Sequence, residues 1–339
     1  MATALDFLLV GTPGWEVVAR VRDLPARDMG PLREALPWIE EADEVVEGPG
    51  GSAVVTATHL ARLGRSVAVL GALGDDEPGR RVARWLALRG VLLPCPPSEG
   101  RATKRTAVLV HRDSGRVAFF AEVPRRMAPP PRIEDLAPDV RGPGTWVHLD
   151  HLSPLAEAVV QGPLAGASLD LHDPPRRAPS LARLRRLLPR LNLVQIRRSA
   201  LEGLAPWLED PQRTSLSGPN PANPAAGPCP GLPAGPRPEG SSLEDLARAL
   251  ARQGPLVVVT EGHRGARWFH ADGSSGSIPP SPVPRLVDPT GAGDAFAAVL
   301  IDGLSQGLPP SRTGARAAQA AARACTLLGP WGPSPISTP

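Results

Sequence analysis

Apolar and polar positions along the 339 residues follow two alternating rhythms. Short, nearly continuous apolar runs recur at Leu5 to Gly11, Ser66 to Leu70, Thr145 to Leu149, Ala167 to Leu171, Leu191 to Ile196 and Leu256 to Val259. Runs this short and this apolar predict strands buried on both faces. Between them, apolar residues return every three or four positions: Ala53, Ala57, Leu60 and Ala61; Val82, Trp85 and Leu86; Leu181 to Leu188; and Phe296, Val299, Leu300 and Leu304. That spacing predicts amphipathic helices. Strands alternating with helices predict an α/β fold, a mostly parallel central sheet covered on both faces in a three-layer α/β/α sandwich.

Punctuation residues set provisional boundaries. Ser52 reads as the N-cap of a helix that Gly64 ends, and Ser241-Ser242-Leu243-Glu244 reads as a capping box opening a helix from Leu243 to Arg252. An Ala-rich helix is expected around Ala315 to Leu328. Residues 17–48 mix short apolar pairs with charges and suit a small exposed sheet. Thr106 to Val110 and Val117 to Ala121 flank an Asp-Ser-Gly turn, the signature of a hairpin. Pro, Gly, Ser and Ala dominate residues 211–240, which predicts a mobile insertion without a core of its own.

Composition narrows the function. With 42% hydrophobic residues the chain can bury a large core. The net charge is +3 and the pI about 9.2, but the arginines are spread over helical stretches such as Arg183 to Arg186. No aromatic-basic interleaving accompanies them, so solvated helix faces account for them and a nucleic-acid surface is not expected. No apolar run approaches the roughly 20 residues of a membrane span, and Met1 to Leu5 do not begin a signal peptide. Three separated cysteines, Cys95, Cys229 and Cys325, lack metal spacing and point to a reducing compartment. A cytoplasmic protein acting on a small molecule is expected.

The stretch with the most chemistry is Asp288-Pro289-Thr290-Gly291-Ala292-Gly293-Asp294-Ala295-Phe296. It follows the apolar Arg285-Leu286-Val287 and precedes a helical pattern, so it reads as strand end, glycine turn and helix start. Unpaired N–H groups of a first helical turn, with the helix dipole, form an anion site. Asp294 in that turn is a candidate general base. The plainer reading of these residues alone is a turn with an acidic dipole partner.

This nonapeptide resembles the C-terminal signature of the ribokinase-like, or PfkB-type, carbohydrate kinases, and other segments resemble the same family in the same order. Gly50-Gly51-Ser52 resembles its N-terminal glycine pair, with Val55 where an Asn is usual. Gly71 to Gly79 resembles its Gly-x-x-Gly-x-Asp-x-x-Gly turn, and Val259-Thr260-Glu261-Gly262-His263-Arg264-Gly265 its nucleotide-side strand and turn. Asp170-Leu171-His172 is similar to its Asp-x-Asn, with His for Asn. Arg197-Arg198-Ser199-Ala200 stands where the family has Asn-x-x-Glu.

The resemblance implies a ribokinase-like fold with a small β-sheet lid. The core would comprise residues 1–11, 49–100 and 126–339, the lid 12–48 and 101–125, and the insertion 211–240. It implies ATP-dependent phosphorylation of a primary hydroxyl of a sugar, with Asp294 as base and Gly291, Ala292 and Gly293 as the anion hole. Acceptor contacts fall on Glu16, which replaces an Asp, and on Gly50, Gly51 and Ser52. Nucleotide contacts fall on Thr260, Gly262, Gly265, Thr290, Gln319 and Arg197. Mg²⁺ would accompany ATP, with K⁺ or another monovalent cation a candidate at Asp288 and Ser334, and a homodimer through the lid is compatible with an exposed sheet edge. A nucleoside kinase of the same fold and a catalytically weakened ligand-binding descendant remain open. A dinucleotide-binding oxidoreductase is disfavoured, because no Gly-x-Gly-x-x-Gly follows the first strand.

Overall fold

Two sheets organise the chain, and the larger has nine strands. Its members are β1 (Phe7–Val10), β4 (Val67–Leu70), β5 (Val91–Leu92), β8 (Trp146–Leu149), β9 (Gly166–Leu171), β10 (Leu193–Arg197), β11 (Leu256–Thr260), β12 (Ala266–Phe269) and β13 (Ser275–Ile278). The smaller contains β2 (Gly14–Val21), β3 (Glu44–Gly50), β6 (Lys104–His111) and β7 (Val117–Glu122). The α-helices among the described residues are α1 (Ser52–Arg62), α2 (Glu77–Ala87), α3 (Pro154–Val159), α4 (Ala178–Leu187), α5 (Arg198–Glu209), α6 (Leu243–Ala251), α7 (Ala292–Ser305) and α8 (Pro310–Ala324). This computed structural model describes residues 5–22, 24, 42–115, 117–122, 124–136, 140–175, 178–209 and 242–331. The expected insertion at 211–240 and the candidate ligand Ser334 lie outside the described residues.

In the large sheet the order is β13-β12-β11-β10-β9-β8-β1-β4-β5, parallel from β11 to β5 and antiparallel at β12 and β13. Strand β1 shows why the runs are continuous rather than alternating. Leu8 and Val10 join a core shared with α3 to α6, whereas Phe7 and Leu9 join one shared with α1, α2, α7 and α8. Both faces are covered, so every position of β1 is buried. Residues 294 to 303 of α7 are buried without a break, the mark of a helix enclosed on all sides. Gly303 lets α8 come close: a Cβ there would lie 2.4 Å from a Thr313 methyl carbon.

In the small sheet, β2 pairs antiparallel with β3 and parallel with β6, and β6 and β7 form the expected hairpin. Val18, Val108 and Val110 turn one face inward onto Trp331. Val17, Val45 and Phe120 remain exposed on the other.

Four boundaries differ from expectation. Ser52 is not the N-cap of α1. Gly51 is, at φ 94°, and the acceptor for the free N–H of Ala53 is the carboxylate of Asp150, 3.2 Å away. The capping box of α6 is one residue later, between Ser242 and Asp245. The Ala-rich helix spans Pro310–Ala324, with Cys325 at its C-cap. Residues 285–287 are not a strand. Pro280, Pro282 and Pro284 lack ladder donors there, and the N–H groups of Val287 and Asp288 donate to the Cys325 carbonyl.

Candidate active site

The carboxyl ends of parallel strands are where α/β sheets place their ligands. The chain brings Asp150 beyond β8, Asp170 on β9, Arg197 on β10 and Thr260 on β11 to that edge, and α1 and α7 add their N-termini.

Gly291 caps α7 in the left-handed region, at φ 77°. A Cβ at residue 291 would stand 2.3 Å from the Pro330 Cβ, so both backbone and space require glycine. Among the described residues the N–H groups of Gly291, Gly293 and Asp294 have no backbone acceptor. The position above Gly293 is open, with nothing within 4 Å of where a Cβ would sit. Free amides beside open space form the concavity an anion needs. The turn is pinned from behind by Asp288, which is fully buried. Its Oδ1 accepts the Thr290 N–H at 2.8 Å and its Oδ2 the Gly329 N–H at 2.9 Å.

Asp294, the third residue of α7, is 8% exposed, and its Oδ1 has no hydrogen-bond partner among the described residues. Burial pushes its carboxyl up to about 6, with Asp170 adding to the effect, while His172, the Ser52 hydroxyl and Arg197 pull the other way. Such a carboxylate is ionised at neutral pH yet more basic than an ordinary aspartate.

Glu16 approaches from β2. Burial raises its carboxyl to about 7. Asp294 and Asp288 add to that rise, and Lys104 and the Gly51 N–H oppose it. Gly50 makes room, since a Cβ there would lie 2.1 Å from the Glu16 carboxyl carbon. Gly51 closes on the first loop in the same way, 2.4 Å from the Thr12 carbonyl oxygen. Glu16, Gly50, Gly51, Ser52 and Asp294 therefore share one neighbourhood.

Residues without a site role in the sequence reading complete it. Gln195 donates to Asp170 Oδ2 at 2.8 Å and to the Gly293 carbonyl at 3.1 Å, tying β9 to α7 through β10. His172 lies with Nδ1 3.6 Å from Asp170 Oδ1. Asp150 accepts from His151 as well as from Ala53; burial works to raise its carboxyl, but those bonds and the His151 charge outweigh it and hold it low. Lys104, opposite Gly14 on the small sheet, is the only lysine in the chain. Two signals were available: carboxylates at the ends of buried strands, and a lone lysine among arginines.

The remaining candidates form a second group. Arg197 is exposed beside Thr260 in the β10–β11 register, and Gly262 and Gly265 turn at φ 61° and 88°. Gln319 is on the exposed side of α8, and the Thr290 hydroxyl is buried without a partner among the described residues. No hydrogen bond links Thr260, Gly262, Gly265 or Gln319 to Asp294 or Glu16 among the described residues. Ala200 faces the core at 1% exposure, and Arg198 is held by Glu202 and Glu261 at 3.0 and 3.2 Å. Val55, 2% exposed, packs near the Gly291 turn.

The model of the pfkB family of carbohydrate kinases matches residues 31–127 and 236–336, more than half of the chain. Over 70 residues, 20% of this chain, the sequence is 43% identical to a cytidine kinase of Thermococcus kodakarensis, and this match spans 24% of that relative's length. The fold is similar to that of adenosine kinase from Sinorhizobium meliloti, with a TM-score of 0.70 and 20% identity over 98% of this chain and 96% of that one. It is also similar to Arabidopsis thaliana ribokinase, solved with ribose and ATP, with a TM-score of 0.64 and 20% identity over 96% and 94%.

Proposed function

Because the chain belongs to the pfkB family of carbohydrate kinases, we propose that it transfers the terminal phosphoryl group of ATP to a primary hydroxyl of a sugar or sugar-like molecule. The observation that carries this reading is the buried Asp294 carboxylate, one oxygen unpartnered among the described residues, beside the open amides of Gly291 and Gly293.

Asp294 takes the proton of the attacking hydroxyl as the oxygen–phosphorus bond forms. The N–H groups of Gly291 and Gly293, with the positive end of α7, receive the charge on the phosphoryl oxygens, while Ala292, expected beside them in the anion hole, donates its N–H to the Pro289 carbonyl. Glu16, Gly50, Gly51 and Ser52 orient the acceptor. We read Thr260, Gly262, Gly265, Thr290, Gln319 and Arg197 as the nucleotide side, and the unpartnered Thr290 hydroxyl as a donor waiting for a phosphate oxygen. The small sheet of β2, β3, β6 and β7 acts as a lid that keeps water from the nucleotide.

The side chains of Arg197 and Ala200 offer no oxygen ligand, so Mg²⁺ would be held through nucleotide phosphates and water. When bound it neutralises phosphate charge. Both oxygens of Asp288 already serve backbone N–H groups, so the mechanism takes no step through a monovalent cation.

The exposed Val17, Val45 and Phe120 lie on one face of the lid and favour a homodimer through it. No helix among the described residues is long and apolar enough to cross a membrane, and we place the reaction in the cytoplasm.

The test is an ADP-release assay over pentoses, hexoses, their phosphates, cytidine and adenosine, repeated with Asp294→Asn. Acceptor-dependent ADP release that falls by about 10²–10⁴ in the variant supports the reading. Release from nucleosides alone makes this a nucleoside kinase. Ligand-induced stabilisation without release makes it a weakened descendant, which the packed Ala200 favours. Unchanged turnover in Asp294→Asn removes the proposed base.

A further inference from the structure

Asp170, His172 and Asp294 each present a ligand atom, and these atoms lie within 4.8 Å of one another. Asp170 on β9 and Asp294 on α7 come from two elements that Gln195 locks together, and His172 follows the end of β9 by one residue. Among the described residues, two atoms of these side chains have no partner: Oδ1 of Asp294, a residue 8% exposed, and Nε2 of His172. An ionised carboxylate oxygen enclosed this deeply without a donor is costly unless something cationic approaches it.

The donor set selects the ion. Mg²⁺ takes oxygen ligands and keeps its water, whereas a set of one imidazole and two carboxylates suits Zn²⁺, which binds three protein ligands and leaves a fourth position open. We propose that Asp170, His172 and Asp294 form a Zn²⁺ site whose occupation switches the enzyme off. The coordinated Asp294 oxygen gives its lone pair to the metal and no longer accepts a proton from the acceptor. The inhibitory part rests on the kinase reading with Asp294 as base; the binding part does not.

The test uses the full chain without nucleotide or acceptor. Zn²⁺ is titrated against a chromophoric chelator with excess Mg²⁺ present throughout, and ADP release is measured separately with and without Zn²⁺. The expected result is one Zn²⁺ per chain. Loss of a ligand should cost at least as much as loss of a group that merely orients one, so His172→Asn and Asp170→Asn should each bind at least about tenfold more weakly. His263→Ala, on an exposed turn, should bind as the parent does. Zn²⁺ should stop ADP release by the parent, and His172→Asn should be insensitive to it whatever its own rate.

Absence of stoichiometric Zn²⁺ from the parent, or equal affinity in folded His172→Asn and His172→Gln, overturns the site. Zn²⁺ bound and lost as expected, in a chain that releases no ADP with any acceptor, leaves the site standing and removes the kinase reading instead. Zn²⁺ bound without inhibition of an active enzyme overturns the switch.

Discussion

Glu16 on β2 and Gly50 on β3, offset by two positions in the ladder, lie so close that a methyl group on residue 50 would fall 2.1 Å from the Glu16 carboxyl carbon. The obstructing atom is the end of a side chain, so the chain can yield there without unfolding, but the carboxylate must leave its place. Gly50→Ala should keep its stability within about 1 kcal/mol while raising the acceptor KM about tenfold, the cost of one charge-assisted hydrogen bond. KM for ATP should be unchanged. Equal acceptor KM in parent and variant would remove Glu16 from the acceptor contacts.

Burial lifts Glu16 to about 7, so its ionisation falls in the neutral range. The ionised form accepts hydrogen bonds from acceptor hydroxyls, so acceptor KM should decrease as pH rises through 7, and Glu16→Gln should flatten that dependence. Stability moves the opposite way. The folded-state pKa lies above the unfolded one, so between about 4.5 and 7 the folded chain binds more protons and loses stability as pH rises. Glu16→Gln should therefore stabilise the protein at pH 8 relative to pH 5, by roughly 1–3 kcal/mol in denaturant titrations.

The turn at Gly291 tolerates no side chain. Gly291→Ala meets both a positive φ and the Pro330 ring, and should lose about 1–3 kcal/mol of stability. Displaced amides should lower kcat more than they change either KM, since they act on the charge that develops during transfer.

Asp288 spends its two oxygens on two backbone N–H groups, one in the turn before α7 and one at Gly329. Asp288→Asn keeps one acceptor and turns an amide donor toward the other N–H. The expected loss is about 2–3 kcal/mol, measured by denaturant unfolding. Tighter nucleotide or acceptor binding in this variant would contradict its role as a pin.

The fold was legible because burial on both faces leaves continuous apolar runs, as at Phe7 to Val10, and because glycine and Asp294 at a helix start are local signals. Where local and long-range forces compete, the sequence was misleading. Ser52 has the right chemistry for a cap, but Asp150, 97 residues away, accepts the Ala53 N–H, and the Ser52 hydroxyl faces Asp294 instead. Arg285 to Val287 have the apolarity of a strand end, but Pro280, Pro282 and Pro284 upstream offer no ladder donors and the Cys325 carbonyl takes the N–H groups of Val287 and Asp288. Gln195 reads as a polar residue in a buried strand, and only the packed structure shows it joining Asp170 to the α7 turn.

The enclosure of α7 constrains how the enzyme can move. Its apolar residues are shared between the sheet, α1 and α8, and near its far end Asp302 is clasped by Arg65 at 2.5 Å. Tilting this helix would open the packing around its whole circumference, so the carboxylate at its head behaves as an anvil. In the proposed reaction, closure would fall to the parts that meet it: the strand bearing Glu16, and the two substrates themselves.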